Sequence, residues 1–234
     1  MKLRNSRISV PTEGVWLQGE LAHAPDVRGL AVLLQPAHEE GDSTSPATAA
    51  AVVLQQSGLA TLIIELVTAH EASRDPDACF NVPQMTNRLL GVLDWVSHQP
   101  ALAGLPIGLV GWSTASAVAV RASWKVPKCC DAIVCRSGRP DLAGATPLKL
   151  LSVPIRFVVG SEESSLDIVR RAFDLMGGEK DWQVTRGAGE AFGEPGDVDT
   201  FGRLAGEWLN AKLPEPDWGA PIPQPCDVPP SAAG

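Results

Sequence analysis

Short apolar runs alternate with longer amphipathic stretches along most of the chain, and the two periods separate strands from helices. Val15–Leu21 alternates between faces, as a half-buried strand does. Gly29–Gln35 (GLAVLLQ) and Ala60–Leu66 (ATLIIEL) are nearly continuous apolar runs and predict strands buried on both faces. Between them, Ser45-Pro46 offers an N-cap and an N1 proline and Gly58 a C′ glycine, which predicts a helix over the interval. A long loop then runs to about Val82. Pro83 opens a second helix, with Met85, Leu89, Leu93 and Val96 on one stripe and His98 at its negative end. Further strands are predicted at Pro106–Val110, Ala132–Cys135, Pro154–Val159 and Trp182–Thr185. Helices begin at about Thr114, cover Leu166–Met176 up to Gly177-Gly178, and carry Val198, Phe201, Leu204, Trp208 and Leu209 on a last amphipathic face.

After an opening antiparallel pair, this β–α alternation repeats five times. Parallel neighbours require such crossovers, so the fold class is α/β, a three-layer sandwich around a mostly parallel central sheet. Residues 1–212 are expected to form one domain. The segment 213–234 has seven prolines in 22 residues and no periodicity, which reads as an extended or disordered tail.

Composition narrows the function. The chain has 234 residues, 44% of them hydrophobic, enough for one core. A net charge of −8 argues against a nucleic-acid partner, which calls for a surplus of Lys and Arg. Met1–Val10 has no long apolar run behind its basic residues, and no stretch of about 18 apolar residues occurs, so neither a leader nor a membrane span is expected. The five cysteines are odd in number and contain no C-x-x-C pair, which argues against a disulfide framework or a zinc site and fits a reduced, cytoplasmic protein. Gly187 and Gly189 are followed by Gly193 one residue too late for a dinucleotide fingerprint. Glu39, Glu40 and Asp42 lack ligand spacing and read as a solvated loop. No cofactor and no metal are therefore expected.

The chemistry concentrates at Gly111-Trp112-Ser113-Thr114-Ala115, between a predicted strand and a predicted helix. This is the arrangement of a nucleophile elbow, a turn so tight that the residues two before and two after the serine must be small. Gly111 and Ala115 satisfy that demand. Arg136 and Arg139 should lie near the carboxyl end of the next strand, where open α/β sheets bind ligands. They suit carboxylate or phosphate recognition, or else form ion pairs, with Asp141 a candidate partner. Trp112 lines the pocket or packs on the sheet. There are four histidines, His23, His38, His70 and His98, and none follows His98; His23 and His70 read as structural or exposed.

Four segments together, GLATLIIELVT, QPALAGLPIGLVGWSTASA, CRSGRPDLAG and GAGEAFGEPG, make the chain from Ile8 to Leu213 resemble the dienelactone-hydrolase-like branch of the α/β-hydrolase family. The resemblance implies the three-layer α/β-hydrolase fold. About 18 residues separate Cys135 from Pro154, too few for a cap domain, so the site is expected to be open. It also implies that Ser113 attacks an ester or lactone carbonyl, with Thr114 and Ala37 at the oxyanion positions. The acid falls on Glu163, where the family usually has Asp. The histidine position falls on Glu190. The family's His-Gly pair after the third strand is replaced by Gln35-Pro36-Ala37-His38, in which Pro36 has no N–H and His38 is a second candidate base and substrate contact. The expectation is a serine hydrolase of small carboxylic esters or lactones with a degenerate triad and weak or lost activity. The alternative is a non-catalytic protein that binds a ligand or partner on the same scaffold.

Overall fold

The computed structural model describes residues 3–36, 45–189 and 196–219. Strands β1 (Arg4–Thr12) and β2 (Val15–His23) form an antiparallel hairpin. Its two-residue turn, Glu13-Gly14, has φ of 46° and 77°, the positive values that match the twist of the flanking strands. Then follow β3 (Leu30–Gln35), β4 (Ala60–Glu65), β5 (Ile107–Trp112), β6 (Ala132–Arg136), β7 (Ile155–Gly160) and β8 (Lys180–Thr185). They join one sheet in the order β1-β2-β4-β3-β5-β6-β7-β8. The β2–β4 pair is antiparallel, and every pair from β4 through β8 is parallel. The fold class predicted above, including the opening antiparallel pair, is the one observed.

The helices are α1 (Pro46–Gln56), α2 (Ala69–Arg74), α3 (Val82–Ser97), α4 (Ala115–Lys125), α5 (Ala145–Lys149), α6 (Leu166–Leu175) and α7 (Asp197–Lys212). Helices α3 to α6 cover one face of the sheet, and α1 and α7 cover the other. All six residues of β3 are buried, with Leu30, Val32 and Leu34 facing the first layer and Ala31 and Leu33 the second. That two-sided burial is why the strand lacks polar alternation. Cys130 and Cys135 are buried and Cys129 half-buried, all as free thiols. Burial alone pushes the Cys135 thiol far up, so it acts as a small hydrophobe. The chain beyond α7 stays attached at first. Leu213 is buried, Arg28 donates to the carbonyls of Leu213 (2.8 Å) and Pro214 (2.5 Å), and Asp217 N donates to Gly104 O (2.9 Å). Among the described residues, no helix is long and apolar enough to cross a membrane.

One expectation needs correcting. The stretch before Val82 is not a plain loop but holds α2 and a 3-10 turn at Pro76–Phe80. The signal was in the sequence as Thr68-x-x-Glu71. The Thr68 side chain accepts from Glu71 N, and the Glu71 carboxylate accepts from Thr68 N, a reciprocal capping box. Glu71 also accepts from both ends of the Arg88 guanidinium, at 2.9 and 2.5 Å. Arg88 is buried in α3 and donates further to Leu66 O at 2.8 Å. A buried guanidinium without its carboxylate would be costly, so this pair fixes the β4–α3 connection over the carboxyl edge of the sheet.

The Arg88 hydrogen bond and the capping contacts hold the Glu71 carboxyl at about 2, below its ordinary 4.5. A depressed carboxyl contributes stability above the unfolded value and loses it as pH falls toward the folded one. Glu71→Gln is expected to lower unfolding stability by about 2 kcal/mol at pH 7. The gap to the parent protein should narrow between about pH 4.5 and 2. Urea melts at pH 7, 4 and 3 check this, and a gap that does not change with pH would refute it.

Candidate active site

Strand β5 ends at Trp112 and α4 begins at Ala115, so Ser113 and Thr114 must turn the chain. Ser113 is exposed and has φ of 53°, a left-handed conformation that costs a non-glycine residue about 1 kcal/mol. Its carbonyl is held by three hydrogen bonds, from Ser116 Oγ (2.7 Å), Arg139 N (3.0 Å) and Ser116 N (3.4 Å). A Cβ on Gly111 would stand 2.8 Å from Ala115 O, so the size limit predicted at Gly111 is imposed by backbone contact. The Thr114 side chain is buried and its Oγ1 donates to Cys79 O at 2.7 Å, which pins the β4–α3 connection onto the elbow. The Thr114 N–H lies at the N-terminus of α4, where the helix dipole favours negative charge.

The turn after β6 forms a second wall. A Cβ on Gly138 would stand 2.4 Å from Ser113 O and 2.6 Å from Ser116 Oγ, so the two turns touch backbone to backbone. Beside it Ser137 also has positive φ, at 52°, and is buried. Ser137 N donates to Val158 O at 3.0 Å. The Ser137 hydroxyl donates to Glu163 Oε1, and Gly160 N donates to the same oxygen at 2.5 Å. Glu163 is thus a buried carboxylate at the end of β7, tied to the turn that touches the nucleophile elbow. Glu162 N donates to Ala188 O (3.1 Å) and Gly187 N to Ser161 Oγ (2.9 Å), which staples the start of the β8–α7 connection against the Glu163 turn.

The structure therefore brings Ser113, Thr114 and Glu163 to the carboxyl edges of β5 and β7. Ala37, His38 and Glu190 lie outside the described residues. Arg136 is buried at the end of β6, paired in register with Trp112. Arg139 makes the ion pair, with two bonds of 2.9 and 2.8 Å to Asp141. Trp112 is half-buried and packs edge-to-face on Phe201 of α7, with ring centroids 6.5 Å apart. His23 and His98 close β2 and α3 at the opposite edge of the sheet. His70 is exposed on α2, in an open cavity of about 540 Å³ that Arg74, Phe80 and Asn81 also line. Sequence reasoning missed Ser137 and Gly138, although a Ser-Gly pair directly after a strand is a turn signal.

No family model matches the chain. A solved dienelactone hydrolase from Anabaena variabilis superposes with a TM-score of 0.81 at 30% identity, covering 92% of this chain and 100% of that one. The chain belongs to the dienelactone-hydrolase-like α/β-hydrolases. An α/β serine hydrolase homologue from Coxiella burnetii shares the fold at a TM-score of 0.71 and 16% identity, covering 88% of this chain and 98% of its own. A curated Mycobacterium tuberculosis relative, named provisionally as a phosphoribosyl transferase, is 32% identical over 209 residues. That match takes in 88% of this hydrolase-like chain but only 46% of the relative, so the chain spans about half the length of the curated proteins it matches.

Because Gly138 lies against the elbow, Gly138→Ala should force the two turns apart. It has φ of 93°, so the substitution is strained as well as crowded. An unfolding loss of about 2 kcal/mol or more is expected by urea titration, and a loss under about 0.5 kcal/mol would contradict the close approach.

Proposed function

We propose that this dienelactone-hydrolase-like protein is a serine hydrolase of small carboxylic esters or lactones, slowed by a carboxylate at the position of the usual imidazole. The observation that carries this reading is the elbow. Ser113 is exposed, left-handed and clamped by three hydrogen bonds at the N-terminus of α4. A strained serine held this firmly at a sheet's carboxyl edge fits a nucleophile better than a structural turn.

In the first step Ser113 Oγ forms a bond to the substrate carbonyl carbon and gives its proton to a carboxylate. The carbonyl electrons collect on an oxyanion that meets the Thr114 N–H and the α4 dipole, with Ala37 as the second oxyanion position. The tetrahedral species then collapses, the ester C–O bond breaks, and the departing oxygen takes the proton back. Water repeats the sequence in reverse to free Ser113 and release the acid. Glu190 is the proposed proton acceptor by its place in the sequence, two residues past the stapled Gly187–Ala188 segment. Glu163 supplies the neighbouring negative charge that raises the proton affinity of a second carboxylate. His38 is a second candidate acceptor from the β3–α1 side. Buried Arg136, with Arg139 and Trp112 further out, makes the proposed substrate-side wall, and a guanidinium there suits a substrate carrying a carboxylate. No histidine follows His98, and loss of a triad histidine costs about 10⁶ in kcat in a serine protease, so turnover should be slow.

The Mycobacterium tuberculosis relatives raise phosphoribosyl transfer as a second activity. We assign it to the half of those proteins that this chain does not span. The shared segment covers 88% of this chain, and in this chain it folds as a hydrolase sheet with its elbow.

Hydrolysis of p-nitrophenyl acetate by the parent protein, Ser113→Ala and Glu190→His tests the assignment. The parent should turn over slowly, Ser113→Ala should fall to the buffer rate, and Glu190→His should gain at least about tenfold near pH 7.5. Equal rates for parent and Ser113→Ala would overturn it. Silence of both the parent and Glu190→His would favour the non-catalytic binding protein.

A further inference from the structure

The Ser137 hydroxyl is a buried polar group that neither the family pattern nor the proposed chemistry assigns. Ser137 sits at φ of 52°, a conformation glycine would adopt at far less cost. It is only 4% exposed. That hydroxyl donates to Glu163 Oε1 and also lies 3.4 Å from Val158 O. Gly160 N donates to the same carboxylate oxygen. The adjoining Gly138 rests on the Ser113 carbonyl, and Arg139 N donates to it. One three-residue turn thus touches the nucleophile's backbone with one end and the buried carboxylate with the other.

We propose that Ser137 is a positioning residue that acts through Glu163, fixing the orientation of its carboxylate relative to Ser113. The inference rests on the hydrolase reading above. A carboxylate on a flexible side chain has several rotamers, and a fixed hydroxyl and a backbone N–H converging on one oxygen select a single one. The second oxygen is thereby aimed in one direction, which a group meant to influence a proton acceptor requires. Ser137 itself touches no reacting atom. The unusual backbone is a cost that the hydroxyl contact explains, because a glycine would fit the turn and leave Glu163 with one donor fewer.

The backbone supplies a clean experiment, since Ser137→Gly removes the hydroxyl while easing the turn. The parent protein, Ser137→Gly, Glu163→Gln and the double variant are compared in p-nitrophenyl acetate turnover and thermal melting. Ser137→Gly should melt at the parent temperature or above it. Its kcat should fall about tenfold, as loss of a hydrogen bond to a charged group implies, with KM within about twofold. In the Glu163→Gln background the same change should cost less than about twofold, because the group it acts through is gone. Full kcat in Ser137→Gly, or an equal loss in the Glu163→Gln background, would overturn the positioning role while leaving the hydrolase reading intact. A parent protein with no turnover above that of Ser113→Ala would overturn the hydrolase reading first, and the positioning role with it.

Discussion

The carbonyl oxygen of Ser113 is the point on which the carboxyl edge of this sheet is assembled. A left-handed serine between a strand and a helix is unfavourable by itself. It persists because Ser116 and Arg139 close three hydrogen bonds on that oxygen and Gly138 packs against it without a side chain. The same contacts fix the turn after β6, and that turn fixes Glu163 through Ser137. Ser113, the N-terminus of α4 and buried Glu163 are therefore not independent placements. They are three consequences of two backbone turns in contact.

The surrounding layers serve this edge. Thr114 reaches out of the elbow to Cys79, and the Cys79 segment is held in place by the capping box of α2 and by buried Arg88 on α3. On the other side, Ala188 and Gly187 bind the turn that carries Glu163, so the connection leaving β8 begins beside the acid. The strand order explains why the elements meet here. The direction of winding reverses between β3 and β5, and a crevice opens outside the carboxyl ends at such a reversal.

Much of this was legible in the sequence because it depends on local rules. Two-sided burial makes β3 and β4 readable as apolar runs, and Ser45-Pro46 and Gly58 mark α1 by cap chemistry. The elbow is readable because its tightness demands Gly111 and Ala115 at fixed offsets. What stayed hidden depends on contacts between distant segments. The Arg139–Asp141 ion pair is local and expected from the sequence, but nothing in Arg139-Pro140-Asp141 shows that the Arg139 N–H serves Ser113. Trp112 gives no sign that it packs on Phe201, nearly ninety residues on. The short helix α2 is a different case, since its capping box was in plain view within a stretch that lacked apolar periodicity. Ser137 was invisible because a serine in a left-handed turn looks like a surface residue until its carboxylate partner is in place.

Covalent capture tests the central assignment most directly. After incubation with a fluorophosphonate and proteolysis, mass spectrometry of the peptides should find one phosphonylated residue, Ser113. It should form slowly, vanish when the protein is unfolded before exposure, and be absent from Ser113→Ala. No adduct under prolonged exposure, or an adduct on another residue, would contradict the assignment of Ser113 as the nucleophile.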